Sequence, residues 1–247
     1  MNRKIKLLLF LIFIYFLVSC IITHANNRQK IVYIGSFTKI IINDKSIKVK
    51  YNNNKIINKK IKVYNDNGFS DAYLNSFDAD YYLEYKIFDN KNNNLQFTED
   101  FIATTENVKI NVINPSNTIL SNKEINLVSE NLDFSTKNID RDSSFKYSFD
   151  IDSDGQNENI FVIFLNLEEN KSEVYFILNK EDEFDIFESY KIDKMSPTLK
   201  IMSVFKYIDF NNDGIFEVVL KNNNGDDLPS QYNIYNFKND NLIKIEE

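Results

Sequence analysis

Apolar and polar residues alternate along much of the chain after residue 40, which is the pattern of half-buried β-strands and not of helices. In SIKVKY, the apolar positions Ile47, Val49 and Tyr51 fall on one face, and Lys48 and Lys50 fall on the other. Five further stretches are rich in alternating aromatic and β-branched residues: KIKVY (60–64), YYLEYKIF (81–88), NVKINVI (107–113), EVYFIL (173–178) and YNIYNF (232–237). Clusters of Asn, Asp and Gly separate these stretches as turns. The pattern therefore predicts an all-β protein with many short strands.

One stretch, INPSNTILSNKE at residues 113–124, interrupts the strand pattern with Pro, Asn and Ser. We expect a domain boundary here, with a β-sandwich-like domain at 28–113, a linker at 114–139 and a second β-domain at 140–247. No amphipathic stretch of ten residues is convincing after the N-terminal segment. The best place for a single short turn of helix is 116–130.

Two acidic motifs, DIDSDGQNE at 150–158 and DFNNDGIFE at 209–217, each precede an apolar stretch. We call them loop 1 and loop 2 and number their positions 1 to 9. Side-chain oxygens at positions 1, 3 and 5 of a tight loop converge on one point, and glycine at position 6 permits the sharp turn. With the backbone carbonyl of position 7 and the carboxylate of position 9, they form a ligand set for a hard cation, calcium above all. The predicted ligands are Asp150, Asp152, Asp154, the Gln156 carbonyl and Glu158 in loop 1, and Asp209, Asn211, Asp213, the Ile215 carbonyl and Glu217 in loop 2.

A bound ion explains why so much negative charge precedes buried strands, because clustered carboxylates repel one another and resist burial without a counter-charge. The alternative interpretation is a pair of solvated acidic turns, since Asp, Asn and Gly are common in turns. Asn211 gives loop 2 one formal charge fewer than loop 1, which predicts weaker calcium binding there. Position 12 is Phe161 or Leu220 and strand-like residues follow, so the EF-hand and the helical dockerin module are disfavoured.

The two motifs, each in a unit of about 60 residues, resemble the calcium loops of FG-GAP and VCBS-type repeats in integrin-like β-propeller blades. The resemblance covers residues 140–247 and implies propeller-blade-like β-repeats with calcium loops. A closed propeller needs about four to eight blades. Two units predict a truncated array packed on the N-terminal strands.

The N-terminal stretch MNRKIKLLLFLIFIYFLVSC has three basic residues before a dozen apolar ones, the pattern of an export signal over residues 1–19. LVSC resembles the lipobox of bacterial lipoproteins, which implies that Cys20 is lipidated and becomes the first residue of the mature chain. Acyl chains would then hold the protein on a membrane without a spanning helix. The alternatives are ordinary cleavage after Thr23–Ala25 with secretion, and an uncleaved anchor. Cys20 is the only cysteine, so no internal disulfide is expected.

Charge and composition narrow the function further. Residues 140–247 hold 11 Lys and Arg against 23 Asp and Glu, a formal net charge of −12. An exported acidic chain is not expected to bind nucleic acid. The single histidine, His24, lies beside the export signal, so the folded body has no Ser-His or Cys-His pair and no histidine-based zinc site.

The sequence therefore predicts an exported, lipid-anchored protein of the cell envelope that is not an enzyme. It would act as a calcium-stabilised binding or adhesion scaffold, and the sequence does not indicate whether its ligand is a protein or a glycan. The alternative function is a carboxylate-dependent hydrolase of envelope polymers, because glycosidases need only two acidic residues.

Overall fold

The alternating residues form three open antiparallel sheets in the computed structural model of the chain. The structure describes residues 30–35, 38–43, 46–51, 56, 59–65, 68–79, 82–88, 100–105, 108–168, 171–180, 183–193, 201–223 and 230–246. The predicted signal segment 1–19 and Cys20 lie outside these residues. In the part of the chain that is described, no helix is long and apolar enough to cross a bilayer.

Seven strands form the N-terminal sheet in the order β3-β2-β1-β7-β4-β5-β6. Val49 in β3 is buried, whereas its neighbours Lys48 and Lys50 are exposed, as the alternation predicts. The described strands of the predicted sandwich-like domain up to residue 104 thus form one sheet, which shares a core with a second sheet further along the chain. The strands are β1 (Lys30–Ile34), β2 (Thr38–Asn43), β3 (Ser46–Tyr51), β4 (Lys59–Asn65), β5 (Gly68–Ala79), β6 (Tyr82–Phe88) and β7 (Ile102–Thr104).

The segment after β7 contains two three-residue strands, β8 (Asn111–Ile113) and β9 (Asn117–Ile119), and then helix α1 (Asn122–Leu132). Of the described residues 108–113 in this predicted strand, only the last three are therefore in strand conformation. The expectation that no helix of ten residues exists is wrong, since α1 has eleven. A capping box at Ser121 and Glu124 begins the helix. The predicted linker 114–139 therefore contains β9 and α1.

Two repeat sheets follow, and each is a four-strand meander with one short strand added at its edge. The first repeat sheet has the order β13-β12-β11-β10-β9, and the second has the order β17-β16-β15-β14-β8. Loop 1 joins β10 to β11, and loop 2 joins β14 to β15. The remaining strands are β10 (Phe145–Phe149), β11 (Glu158–Glu168), β12 (Lys171–Lys180), β13 (Glu183–Asp193), β14 (Ile201–Asp209), β15 (Glu217–Asn223), β16 (Gln231–Lys238) and β17 (Asn241–Lys244).

Equivalent residues of the two repeat sheets face different neighbours. Ile160, two positions after the end of loop 1, packs in the core between the two repeat sheets. Val219, its equivalent after loop 2, packs against the N-terminal sheet instead, together with Ile34 and Ile40. The repeats therefore stack head to tail, which is a heterologous interface and not a self-complementary one.

Other elements cover both ends of this stack. Helix α1 places Ile125 and Val128 against Phe161 and Ile163 on the outer face of the first repeat sheet. The N-terminal sheet covers the opposite end, on the outer face of the second repeat sheet. The all-β prediction is confirmed, since the described residues form three open antiparallel sheets and one helix.

Candidate metal centres

Position 1 of each loop organises the turn through its carboxylate. In loop 1, Asp150 accepts hydrogen bonds from the backbone N–H groups of positions 5 and 6, both at 3.0 Å. In loop 2, Asp209 accepts the same two bonds at 3.2 and 3.1 Å. Position 3 accepts a further bond from the N–H of position 5, at 3.3 Å from Asp152 and 3.2 Å from Asn211. The two loops thus share one hydrogen-bond pattern, residue for residue.

Position 9 closes each loop from the first residue of the following strand. Glu158 is 1% exposed and Glu217 is 2% exposed. Each places Oε2 on the backbone N–H of position 2, at 2.7 Å from Ile151 N and 3.3 Å from Phe210 N. The position-2 side chains point into the cores, where Ile151 and Phe210 are almost fully buried. Packing of the position-2 side chain in the core therefore fixes the backbone N–H to which each position-9 carboxylate is hydrogen-bonded.

The backbone of the two loops is also the same. Gly155 and Gly214 at position 6 have φ of 90° and 87°. A Cβ added at Gly155 would meet nothing within 4 Å, so backbone conformation and not space selects glycine there. At position 4, Ser153 and Asn212 have φ of 60° and 59°.

Position 4 of each loop donates a hydrogen bond to a backbone carbonyl outside its own loop, a role that the sequence pattern did not reveal. Ser153 Oγ donates to the Gly214 carbonyl of loop 2 at 2.5 Å. Asn212 Nδ2 donates to the Lys109 carbonyl, just before β8, at 2.6 Å. A further backbone bond runs from Phe216 N to the loop 1 backbone, so the two loops lie side by side at one end of the sheets.

The predicted ligands converge only in part. Asp150, Asp152 and Glu158 each offer an oxygen within 4.8 Å of the others. Asp154 does not belong to this group, and its Oδ1 accepts the position-7 N–H at 2.8 Å. Asp213 makes the same bond in loop 2 at 2.9 Å. Within the described residues, loop 2 brings no three carboxylates together so closely.

Three of the predicted ligands are uncharged, namely the Asn211 side chain and two backbone carbonyls. Asn211 Nδ2 donates to Asp213 Oδ2 at 2.8 Å, so the amide and carboxylate of loop 2 lie side by side. The backbone carbonyls of Gln156 and Ile215 stay predictions.

A lysine that the sequence analysis missed occupies the middle of loop 1. Lys180 Nζ lies 2.7 Å from Asp152, 3.6 Å from Asp154 and 3.7 Å from Glu158. It also lies 3.1 Å from Asp240 in the β16–β17 turn. The hydrogen bond to Asp152 raises the pKa of Lys180 above its usual value, so the side chain is a fixed cation. Lys180 comes 22 residues after Glu158, and no local motif connects the two.

Burial makes the position-9 carboxylates costly to ionise without a cation. Burial, with a smaller contribution from the charges of Asp213 and Asp209, raises the pKa of Glu217 to about 8. Burial also raises the pKa of Glu158, to which Asp152 contributes while Lys180 acts against it. A donor set made only of oxygens, with buried carboxylates, fits a hard divalent cation.

The chain was compared with protein-family models, with curated protein sequences and with solved structures, and none of these comparisons found a match.

Proposed function

We propose that this protein is a non-catalytic binding or adhesion scaffold whose repeat sheets are stabilised by calcium in loops 1 and 2. The supporting observation is the equivalence of the loops, which share their carboxylate-to-backbone hydrogen bonds, their left-handed position 4 and their buried position-9 glutamate. Two ordinary acidic turns would not need a carboxylate buried at the same point of each repeat. A calcium ion would supply the positive charge that these buried groups favour.

Each ion would hold the first residue of a strand that packs in the core. Glu158 and Glu217 begin β11 and β15, and both strands contribute to the core between the repeat sheets. Extracellular calcium modules have dissociation constants on the order of 0.1–1 mM. At ~1 mM calcium and a dissociation constant of ~0.1 mM, one site would stabilise the fold by roughly 1.4 kcal/mol. The ion's role is therefore structural.

The proposed location follows from the N-terminal segment. Export followed by lipidation at Cys20 would hold the scaffold at a membrane of the cell envelope, with the repeat sheets exposed to a protein or glycan ligand. Mass spectrometry of the mature protein tests this point. The expected result is an N-terminal acylated cysteine, which a Cys20→Ala variant lacks. An unmodified mature chain that begins after Ala25 would point to secretion instead.

Thermal unfolding with and without calcium tests the scaffold proposal. Wild-type protein in 1 mM calcium should melt a few degrees higher than in EDTA, as about 1–3 kcal/mol implies for a domain of this size. The double variant Asp150→Asn/Asp209→Asn should melt at one temperature in both solutions. Asp142→Asn, an exposed acid outside the loops, is the matched control and should keep the calcium response.

Equal melting of the wild type in calcium and EDTA would contradict calcium stabilisation. The hydrolase alternative makes a different prediction, namely the release of soluble fragments from purified envelope polymers. That activity would have to disappear on neutralising an acidic residue while the melting temperature is unchanged.

A further inference from the structure

We infer that Lys180 is an internal counter-ion of loop 1, so that the protein binds its divalent cation first at loop 2 and only secondarily at loop 1. This inference rests on the proposed calcium binding and assigns an order to the two sites. It reverses the ranking expected from the number of acidic residues alone.

The Lys180 ammonium lies where an ion at loop 1 would compete with it. Its Nζ is 2.7 Å from Asp152 Oδ2, which is hydrogen-bond distance from a predicted ligand oxygen. Asp240 from the second repeat sheet approaches the same nitrogen to 3.1 Å, and the Phe237 ring centroid is 5.2 Å from it. These two contacts come from a different sheet, so groups outside the acidic loop also hold the lysine in place.

The second repeat provides an internal comparison at the equivalent position. Lys180 follows Asn179, which pairs with Asn159, the residue after position 9 of loop 1. In the second repeat, Val218 is the residue after position 9, and it pairs with Tyr235. The residue after Tyr235 is Asn236, so a neutral amide stands where loop 1 has an ammonium.

When this lysine is counted, the two loops have the same formal net charge. Loop 1 has four carboxylates and one ammonium, and loop 2 has three carboxylates, so each has a net charge of −3. Among the described residues, no lysine or arginine nitrogen lies within 4.0 Å of a loop 2 carboxylate. An ion entering loop 1 must displace the ammonium from Asp152, whereas an ion entering loop 2 displaces no lysine or arginine side chain. The difference in affinity therefore comes from this displacement.

Isothermal titration of calcium into the full mature chain tests the order of binding. Wild-type protein should show one tighter site and one site at least about tenfold weaker, since the separation of a close ion pair is worth a factor of this order or more. Asp209→Asn should remove the tighter site, and Asp150→Asn should leave it. Lys180→Asn, which gives loop 1 the residue found at Asn236, should strengthen the weaker site by about the same factor.

Two further variants separate the counter-ion role from other effects. Asn236→Lys should weaken the tighter site, because it introduces an ammonium beside loop 2. Lys137→Gln removes an exposed lysine outside the loops and should leave both sites unchanged. The melting temperature in EDTA shows whether each variant is folded, so a loss of affinity is not confused with unfolding.

The inference would be overturned if Lys180→Asn left both affinities unchanged in a folded protein, or if Asp150→Asn removed the tighter site. Absence of calcium binding in wild type and in Lys180→Asn alike would instead overturn the proposed function. A protein with two equal sites before and after the Lys180 substitution would keep the calcium proposal and refute the ordering.

Discussion

At the scale of single residues, the charged side chains that are buried in the described part of the chain are Glu158, Asp209 and Glu217. All three belong to the two acidic loops, at position 1 or position 9. Burying a carboxylate without a partner costs several kcal/mol, and the usual escape is protonation or a cation. The carboxylates that most need a proton or a cation, among the described residues, therefore lie in these loops at one end of the sheets.

We expect Glu217 to make the metal-free protein less stable as the pH rises. Its folded-state pKa is about 8, above the ordinary value of 4.5 for a solvated glutamate. The folded state therefore holds one more proton between these values, and stability falls as the pH rises from about 4.5 to about 8. Each unit of pKa difference corresponds to roughly 1.4 kcal/mol.

Urea unfolding in EDTA at several pH values from 5 to 9 measures this dependence. Glu217→Gln removes the titrating group, so its stability should fall less than that of wild type over the same range. Saturating calcium should remove the difference, because the bound cation favours the carboxylate. Parallel curves for wild type and Glu217→Gln in EDTA would contradict the prediction.

At the scale of elements, the spacing of residues along the chain predicted some strands and both loops but missed other elements. Strand β3 coincides with its predicted range, with Val49 buried, Ile47 half-buried and both lysines exposed. The loops were recognised because their predicted ligands lie within nine consecutive residues. Strand β8 lies within the predicted strand 107–113, whereas β9 was not predicted, since it has only three residues and pairs with β10, 26 residues further along the chain. Lys180 was missed for the same reason, because strand pairing across a sheet is not visible in sequence spacing.

Helix α1 had a local signature that the apolar pattern concealed. Ser121, with Glu124 three residues later, is a capping-box sequence, and Ile125 and Val128 follow at helical spacing. The Ser121 N–H donates to Glu124 Oε2 at 2.8 Å, and the Glu124 N–H donates to Ser121 Oγ at 3.3 Å. The Asn and Ser residues that suggested a linker are the residues that begin this helix.

We expect Ser121→Ala to lower the free energy of unfolding by about 1 kcal/mol, the usual cost of losing an N-cap. Urea denaturation monitored by circular dichroism measures the change. Ser135→Ala, at an exposed position after the helix, is the control and should have little effect. Equal stability of Ser121→Ala and wild type would show that α1 is held by its apolar face alone.

At the scale of the whole molecule, the head-to-tail stack explains why two repeats are sufficient. A heterologous interface leaves one free face at each end, and an array of such sheets must close on itself or be covered. Here α1 covers one end and the N-terminal sheet covers the other. These two caps cover the end faces of the stack, which in a propeller are covered by closure of the blades into a ring.

We expect loss of the helical cap to cause association through the face that it exposes. Ile125→Asp/Val128→Asp places two charges at positions that are 1% and 0% exposed, which should displace α1 from the first repeat sheet. Light scattering at increasing concentration should then show growing assemblies, since the exposed sheet face is apolar. Leu127→Asp, on a residue that is 39% exposed, should stay at the size of the wild type. A double variant that keeps its sheet signal and the wild-type size would contradict the capping role.

The short connection between β8 and β9 has a consequence for how the two repeat sheets come apart. Only three residues separate Ile113, at the edge of the second repeat sheet, from Asn117, at the edge of the first. A fully extended chain of that length spans about 14 Å, so the covalent tether limits how far these edges can separate while both short strands stay paired. Each sheet then sees the other at a high effective concentration, and reclosure within one molecule outcompetes exchange with a second copy. Local separation of the two sheets at this end therefore need not lead to the exchange of repeats between two molecules.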